Sequence, residues 1–147
     1  LQQGSVQGAY FRDGTIVARN AEAGQALARQ YGFGWRPELP EQGAAMLLNV
    51  TPPGMEGPQE SELAFPAGQI AACEVAFDVV AQPAETPFIK AALAAGKIVI
   101  SGAEVIVLQA VEQFVLYTGI RPDAEAVIEA ATFAHGSNVA ARLRDAV

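Results

Sequence analysis

Cysteine, histidine and aromatic residues are scarce in this chain. Its 147 residues include one cysteine and one histidine, and aromatics make up 7%. The lone Cys73 excludes an internal disulfide and fits a reducing compartment. Cys73 opens an apolar run and reads as a buried small hydrophobe rather than a nucleophile. With His135 as the only histidine, the sequence argues against a zinc site. His135 falls near a helix end, where it reads as a C-terminal capping or surface histidine rather than a general base. Long apolar runs are also lacking. The longest stretch, 105–116, is broken by Gln109, Glu112 and Gln113, so nothing approaches the roughly 18 apolar residues of a membrane span. The start Leu1-Gln2-Gln3-Gly4 has neither the basic residues nor the apolar run of a signal peptide. The missing initiator Met implies a fragment or a processed chain, and a cytoplasmic location is expected. Positive charge is short as well. Nine Lys and Arg face sixteen Asp and Glu, for a net charge of −7. Such a chain repels phosphate backbones, so neither nucleic acid nor membrane is an expected partner. A phosphate-bearing cofactor stays open, because a few well-placed cations and backbone N–H groups hold one locally.

What is present is a 51% hydrophobic chain of one-domain length, rich in Ala, Val, Ile and Leu. That composition suits helices packed on a buried parallel sheet. Short β-branched or apolar runs at 15–19, 45–50, 74–80 and 97–100 read as strands, and 34–37 as a short extended edge. Helices are expected over 21–31, stopped by Gly32, and over 86–95, with Thr86 as cap and Pro87 at its first position. A long helix is expected over 103–117, ended by Gly119, another over 124–134 behind Pro122 and Asp123, and a last one over 139–146. The stretch 57–68 reads as polar, Pro-rich loop. Strands alternating with helices predict an α/β fold with a mainly parallel, twisted sheet flanked by helices. In such sheets ligands sit beyond the carboxyl ends of the strands, which directs attention to residues 19–20, 49–55, 80–85 and 101–102.

Motifs at those four places are similar to shikimate dehydrogenases. Ile16-Val17-Ala18-Arg19-Asn20 resembles their Ile-Val-Asn-Arg-Thr stretch, and Asn49-Val50-Thr51-Pro52-Pro53-Gly54-Met55 their Asn-Ala-Thr-Pro-x-Gly-Met loop. Phe77-Asp78-Val79-Val80 with Pro83 and Thr86-Pro87-Phe88 resembles the Asp-x-x-Tyr…Thr-Pro segment. Gly102, Gln109-Ala110, Phe114 and Tyr117-Thr118-Gly119 resemble the Gly…Gln-Ala…Phe…Trp-x-Gly ending. The four occur in the family's order and spacing across about 15–134. The resemblance implies a Rossmann-like domain and a hydride transfer between a nicotinamide cofactor and a hydroaromatic hydroxy-acid such as shikimate or quinate. Arg19 follows the strand whose end meets the adenosine ribose, and a guanidinium there holds a 2′-phosphate, which implies NADP. The alternative for Arg19 is a solvated surface arginine. Asn20, Asn49, Thr51, Val79 and Gly102 are implied to serve the cofactor, and Gln109 the substrate. Asn49 could instead only order its turn, and Gln109 could be a satisfied buried glutamine between Leu108 and Val111. Asp78 reads first as a hydrogen-bonded structural residue on a buried strand, with acid–base chemistry as the alternative. Ala81 stands where the family usually carries Tyr, which puts shikimate itself in doubt as the substrate.

Two parts of the family pattern have no counterpart. The N-terminal substrate domain with its Lys–Asp catalytic pair is one, so no turnover is expected of this chain. The first strand with its Gly-rich turn is the other, since a strand and crossover helix do not fit before Thr15. Weak NADP affinity follows, and so does a gap in the sheet between the strands at 15 and 45. The gap could be filled by a hairpin of 6–11 on 15–19 around Asp13-Gly14, by the segment 136–146 in cis or from a partner in a homo-oligomer, or by residues absent from the sequence. The expected organisation is a non-matching segment 1–14, an NADP-binding domain 15–134 and a helical tail 135–147. A non-catalytic binding or assembly module on a degraded Rossmann scaffold is the competing reading.

Overall fold

The computed structural model describes residues 13–144. The elements are β1 (Thr15–Val17), α1 (Ala21–Tyr31), β2 (Gly34–Arg36), β3 (Met46–Asn49), α2 (Ala67–Ala72), β4 (Val75–Asp78), α3 (Pro87–Ala94), β5 (Ile98–Ser101), α4 (Gly102–Thr118), α5 (Ala124–His135) and α6 (Ser137–Leu143). They fall into two compact units, Leu1–Gln42 and Gly43–Val147. Every strand pairing is parallel, β1 with β2 in one sheet and β3-β4-β5 in order in the other. Parallel strands joined through helices are the expected Rossmann-like α/β class. No helix among the described residues is long and apolar enough to cross a membrane.

The first unit is a β1-α1-β2 crossover. The Asn20 side chain accepts from Ala23 N and caps α1, which ends on Gly32 in a left-handed conformation. The extended piece at 34–37 proves to be strand β2, in register Ile16↔Trp35 with β1. Trp35 lies against α1 at Gly24, where a Cβ would sit 2.6 Å from the indole Cδ1. Its Nε1 donates to Ala18 O at 3.2 Å. The hairpin proposed for 6–11 lies outside the described residues.

In the second unit, β3, α2, β4, α3 and β5 follow one another across the sheet in sequential order. Right-handed crossovers that all progress in one direction put both crossover helices on one face. That face is the core: Leu47 and Ala76 from the sheet meet Ile70 and Cys73 from α2 and its end, and Phe88 and Ala92 from α3. Cys73 is buried, and its thiol donates to Ile70 O at 3.2 Å. The opposite face is more open than the two-sided burial expected of these strands, with Leu48 48% and Ile98 67% exposed. Helix α2 corrects the reading of 57–68 as loop throughout, because it begins at Ala67. It has no side-chain cap and a single buried residue, Ile70, so little in its local sequence announced it.

Helices α4, α5 and α6 enclose a second core of Ala103, Val107, Val127, Ala131, Val139, Ala140 and Leu143. The buried face of α6 is occupied by α4 and α5. His135 is the last residue of α5 and half-buried, as its position near a helix end implied.

Candidate functional site

In the second unit the three parallel strands end level with one another, in the register Asn49↔Asp78↔Ser101. Each strand closes its apolar run on a polar residue, and all three are buried. Pairing in register turns them to one face, one step beyond the apolar row of Leu47, Ala76 and Val99. Buried polar atoms require partners, and these have them. Asp78 Oδ1 accepts from Asn49 Nδ2 at 3.0 Å and from Val80 N at 3.1 Å, while Oδ2 accepts from Thr86 Oγ1 at 2.6 Å. Thr86 in turn caps α3 by accepting from Ile89 N at 3.2 Å. Asp78 therefore has the hydrogen-bonded structural role read first from the sequence. One carboxylate ties the ends of β3 and β4 to the start of α3.

Asn49 orders the loop behind it as well. Its Oδ1 accepts from Thr51 N at 3.0 Å and from Thr51 Oγ1 at 2.6 Å, and its Nδ2 reaches Pro53 O at 3.4 Å. Gly54, at φ 87°, lets the loop close onto Thr86, where a Cβ would meet the Thr86 Cβ at 2.9 Å. Glu56 N donates to Gln82 O at 3.2 Å, beside the cis Gln82–Pro83 peptide. The side chain of Asn49 is thus committed to its turn and to Asp78. The apolar side chains at this carboxyl edge point outward, with Val50 65%, Met55 47% and Val79 45% exposed.

The third strand end passes directly into α4. Ser101 caps it and forms a capping box with Glu104. Glu104 Oε2 accepts from Ser101 N at 2.7 Å and from Ser101 Oγ at 2.6 Å. Gly102 is buried, and a Cβ there would lie 2.6 Å from the Val80 carbonyl. The first turn of α4 is therefore pressed onto the end of β4. Gln109 sits on an exposed position of α4, which removes the alternative of a satisfied buried glutamine.

A polar cluster that sequence reasoning missed locks this corner. Arg142 on α6 donates from Nε to Glu104 Oε1 at 3.1 Å and from Nη1 to Glu85 Oε1 at 3.3 Å. Asn138 Nδ2 also donates to Glu85, at 3.2 Å. Glu85, immediately before the α3 cap Thr86, is thus engaged by the last helix. The Ser-x-x-Glu spacing of Ser101 and Glu104 was a readable signal. The Arg142 contacts were not, because they join residues 38 and 57 positions apart.

The first unit carries the remaining two site residues. Arg19 follows β1 directly and is exposed. Its guanidinium has no hydrogen-bond or ion-pair partner among the described residues. Asn20 spends its side-chain oxygen on the cap of α1.

No family model matches the chain. It is 57% identical over 120 residues to a shikimate dehydrogenase-like protein of Haemophilus influenzae, which spans 81% of this chain but 44% of that protein. A solved shikimate 5-dehydrogenase-like protein superposes with a TM-score of 0.82 at 54% identity, covering 86% of this chain and 47% of that one. The Thermus thermophilus shikimate 5-dehydrogenase, solved with NADP(H) and shikimate, superposes with a TM-score of 0.65 at 27% identity, over 87% of this chain and 45% of the enzyme. The chain thus spans less than half the length of these relatives. Sequence and fold agree over the same stretch, and the chain is a homologue of the shikimate dehydrogenase-like proteins along a segment a little under half their length.

Proposed function

We propose that this chain is the cofactor-binding domain of an NADP-dependent, shikimate-dehydrogenase-like oxidoreductase. The parent would transfer a hydride between NADP and a hydroaromatic hydroxy-acid such as shikimate or quinate. The observation that carries the reading is Arg19, an exposed guanidinium without a protein partner among the described residues, set immediately beyond a parallel strand at the start of α1. That is where an adenosine ribose meets a dinucleotide-binding fold, and a guanidinium suits a 2′-phosphate. The relative solved with NADP(H) and shikimate supports the same cofactor and substrate class. Asn20, Asn49 and Thr51 would shape the cofactor loops through the caps and turns they hold. Val79 and Gly102 would offer an apolar, close-packed wall to the nicotinamide, and exposed Gln109 would reach a substrate hydroxyl or carboxylate.

Calorimetric titration with NADP and NAD tests this. NADP is expected to bind more tightly than NAD, and the preference is expected to vanish in Arg19→Ala. No detectable binding of either cofactor at millimolar concentration would favour the competing reading, a non-catalytic assembly module. The chain alone is expected to form no NADPH from NADP and shikimate, because hydride transfer requires both reactants fixed in one geometry. Steady NADPH production by the purified chain would contradict that.

A further inference from the structure

We propose that Arg36 is a second cation of the cofactor site, closing with Arg19 on the 2′-phosphate and setting the preference for a 2′-phosphorylated nucleotide. The proposal rests on the reading that the chain binds NADP. Its basis is the register of the first unit. Arg36 pairs with Val17, the last residue of β1, and Ala18 N donates to Arg36 O at 3.1 Å. Arg19 lies two residues beyond that pairing. With strands about 4.8 Å apart and a rise of about 3.3 Å per residue, the two Cα atoms fall within about 8 Å of each other. That suits two arginine side chains converging on one phosphate.

The faces agree as well. Trp35 packs on Gly24 of α1, and Ala18 faces the same glycine, its Cβ 3.0 Å from where a Gly24 Cβ would lie. Alternation along β2 turns Arg36 to the side away from α1, and Arg19, in the bend that follows β1, is exposed beside it in sequence register. Pro37 holds Arg36 in extended backbone and fixes the direction in which it leaves the sheet. Both arginines are exposed, and neither has an ion pair or side-chain hydrogen bond among the described residues. The carboxylates on the adjoining segments, Glu22 in the first turn of α1 and Glu38 beyond Pro37, leave them unpaired. Two neighbouring cations without a counter-ion repel each other, and a phosphate monoester between them relieves that repulsion through charge-assisted hydrogen bonds.

The test uses adenosine 2′,5′-bisphosphate and adenosine 5′-monophosphate as probes, titrated into the full chain and its Arg36→Gln, Arg19→Gln and Arg29→Gln variants. Arg29 lies in the last turn of α1, away from the strand ends, and serves as the control. Arg36→Gln is expected to weaken the bisphosphate about tenfold, leave the monophosphate unchanged, and lose most of that difference at high salt. Arg29→Gln should change neither. Matching melting curves establish that the variants fold. If Arg19→Gln removes the preference while Arg36→Gln keeps it, the role of Arg36 is overturned and the NADP reading stands. If the unaltered chain shows no preference for the bisphosphate, both are overturned.

Discussion

At the scale of single residues, Asp78 shows how one buried carboxylate can organise a site without doing its chemistry. It accepts from Asn49, Val80 N and Thr86, so replacing it strips Val80 N and the Thr86 hydroxyl of their acceptor and leaves Asn49 Nδ2 only Pro53 O. Asp78→Ala is therefore expected to cost on the order of 3–5 kcal/mol in urea unfolding. A loss below about 1 kcal/mol would mean that the network relaxes onto other partners. Gly102 is constrained differently. A Cβ would meet the Val80 carbonyl at 2.6 Å, and backbone cannot swing aside as a side chain does. Gly102→Ala is expected to destabilise the fold by about 1–3 kcal/mol, read as a lower denaturation midpoint with an unchanged slope. Both residues stood out in the sequence as motif members. Their immediate physical work, satisfying donors and admitting a close approach, is visible only in the fold.

At the scale of elements, α4 is anchored at its first turn and α6 along its length. The Ser101–Glu104 capping box satisfies amide groups that an α-helix cannot satisfy internally. Ser101→Ala is expected to cost about 1 kcal/mol. Glu104→Ala should cost more, since it also takes a partner from Arg142, whose Nη2 already lacks one. Helix α6 has seven residues, too short to persist alone, so its stability comes from packing. Leu143, 1% exposed in the core shared with α4 and α5, is expected to cost about 2–5 kcal/mol on truncation to Ala. Loss of helical circular dichroism confined to a seven-residue equivalent would show α6 detaching while the rest stays folded. These helices also mark how far local signals reach. α3 declared itself through Thr86 and Pro87 and α5 through Asp123, which does cap it. α2 has Pro66 at its cap position without a side-chain bond, and went unseen.

At the scale of the whole chain, the two compact units differ in how much they bury. In Leu1–Gln42 the buried residues among those described are Gly24 and Ala28, whereas Gly43–Val147 holds two apolar cores. Stability scales with apolar surface removed from water, so the second unit should resist opening better. In hydrogen exchange followed by mass spectrometry, amides of β4, flanked by strands on both sides, are expected to exchange last and those of β1 and β2 well before. The reverse order would overturn this ranking of the two units. The sheet face carrying Leu48 and Ile98 is open, because α2 and α3 both pack on the other face, against Leu47 and Ala76.

Much about this protein was determined by the sequence alone: the α/β class, the alternation of strands and helices, most helix ends, and the four stretches that resemble shikimate dehydrogenases. Those features are local, written in side-chain periodicity, in capping residues such as Asn20, Thr86 and Asp123, and in stops such as Gly32 and Gly119. The tertiary structure decided what those residues touch. It showed that Asn49, Asp78 and Ser101 end level in one buried row, that Gln109 faces outward, that α6 belongs to the core of α4 and α5, and that Arg142 reaches Glu85 and Glu104. Strand register and long-range pairing depend on how elements separated by tens of residues pack, and no local pattern encodes that.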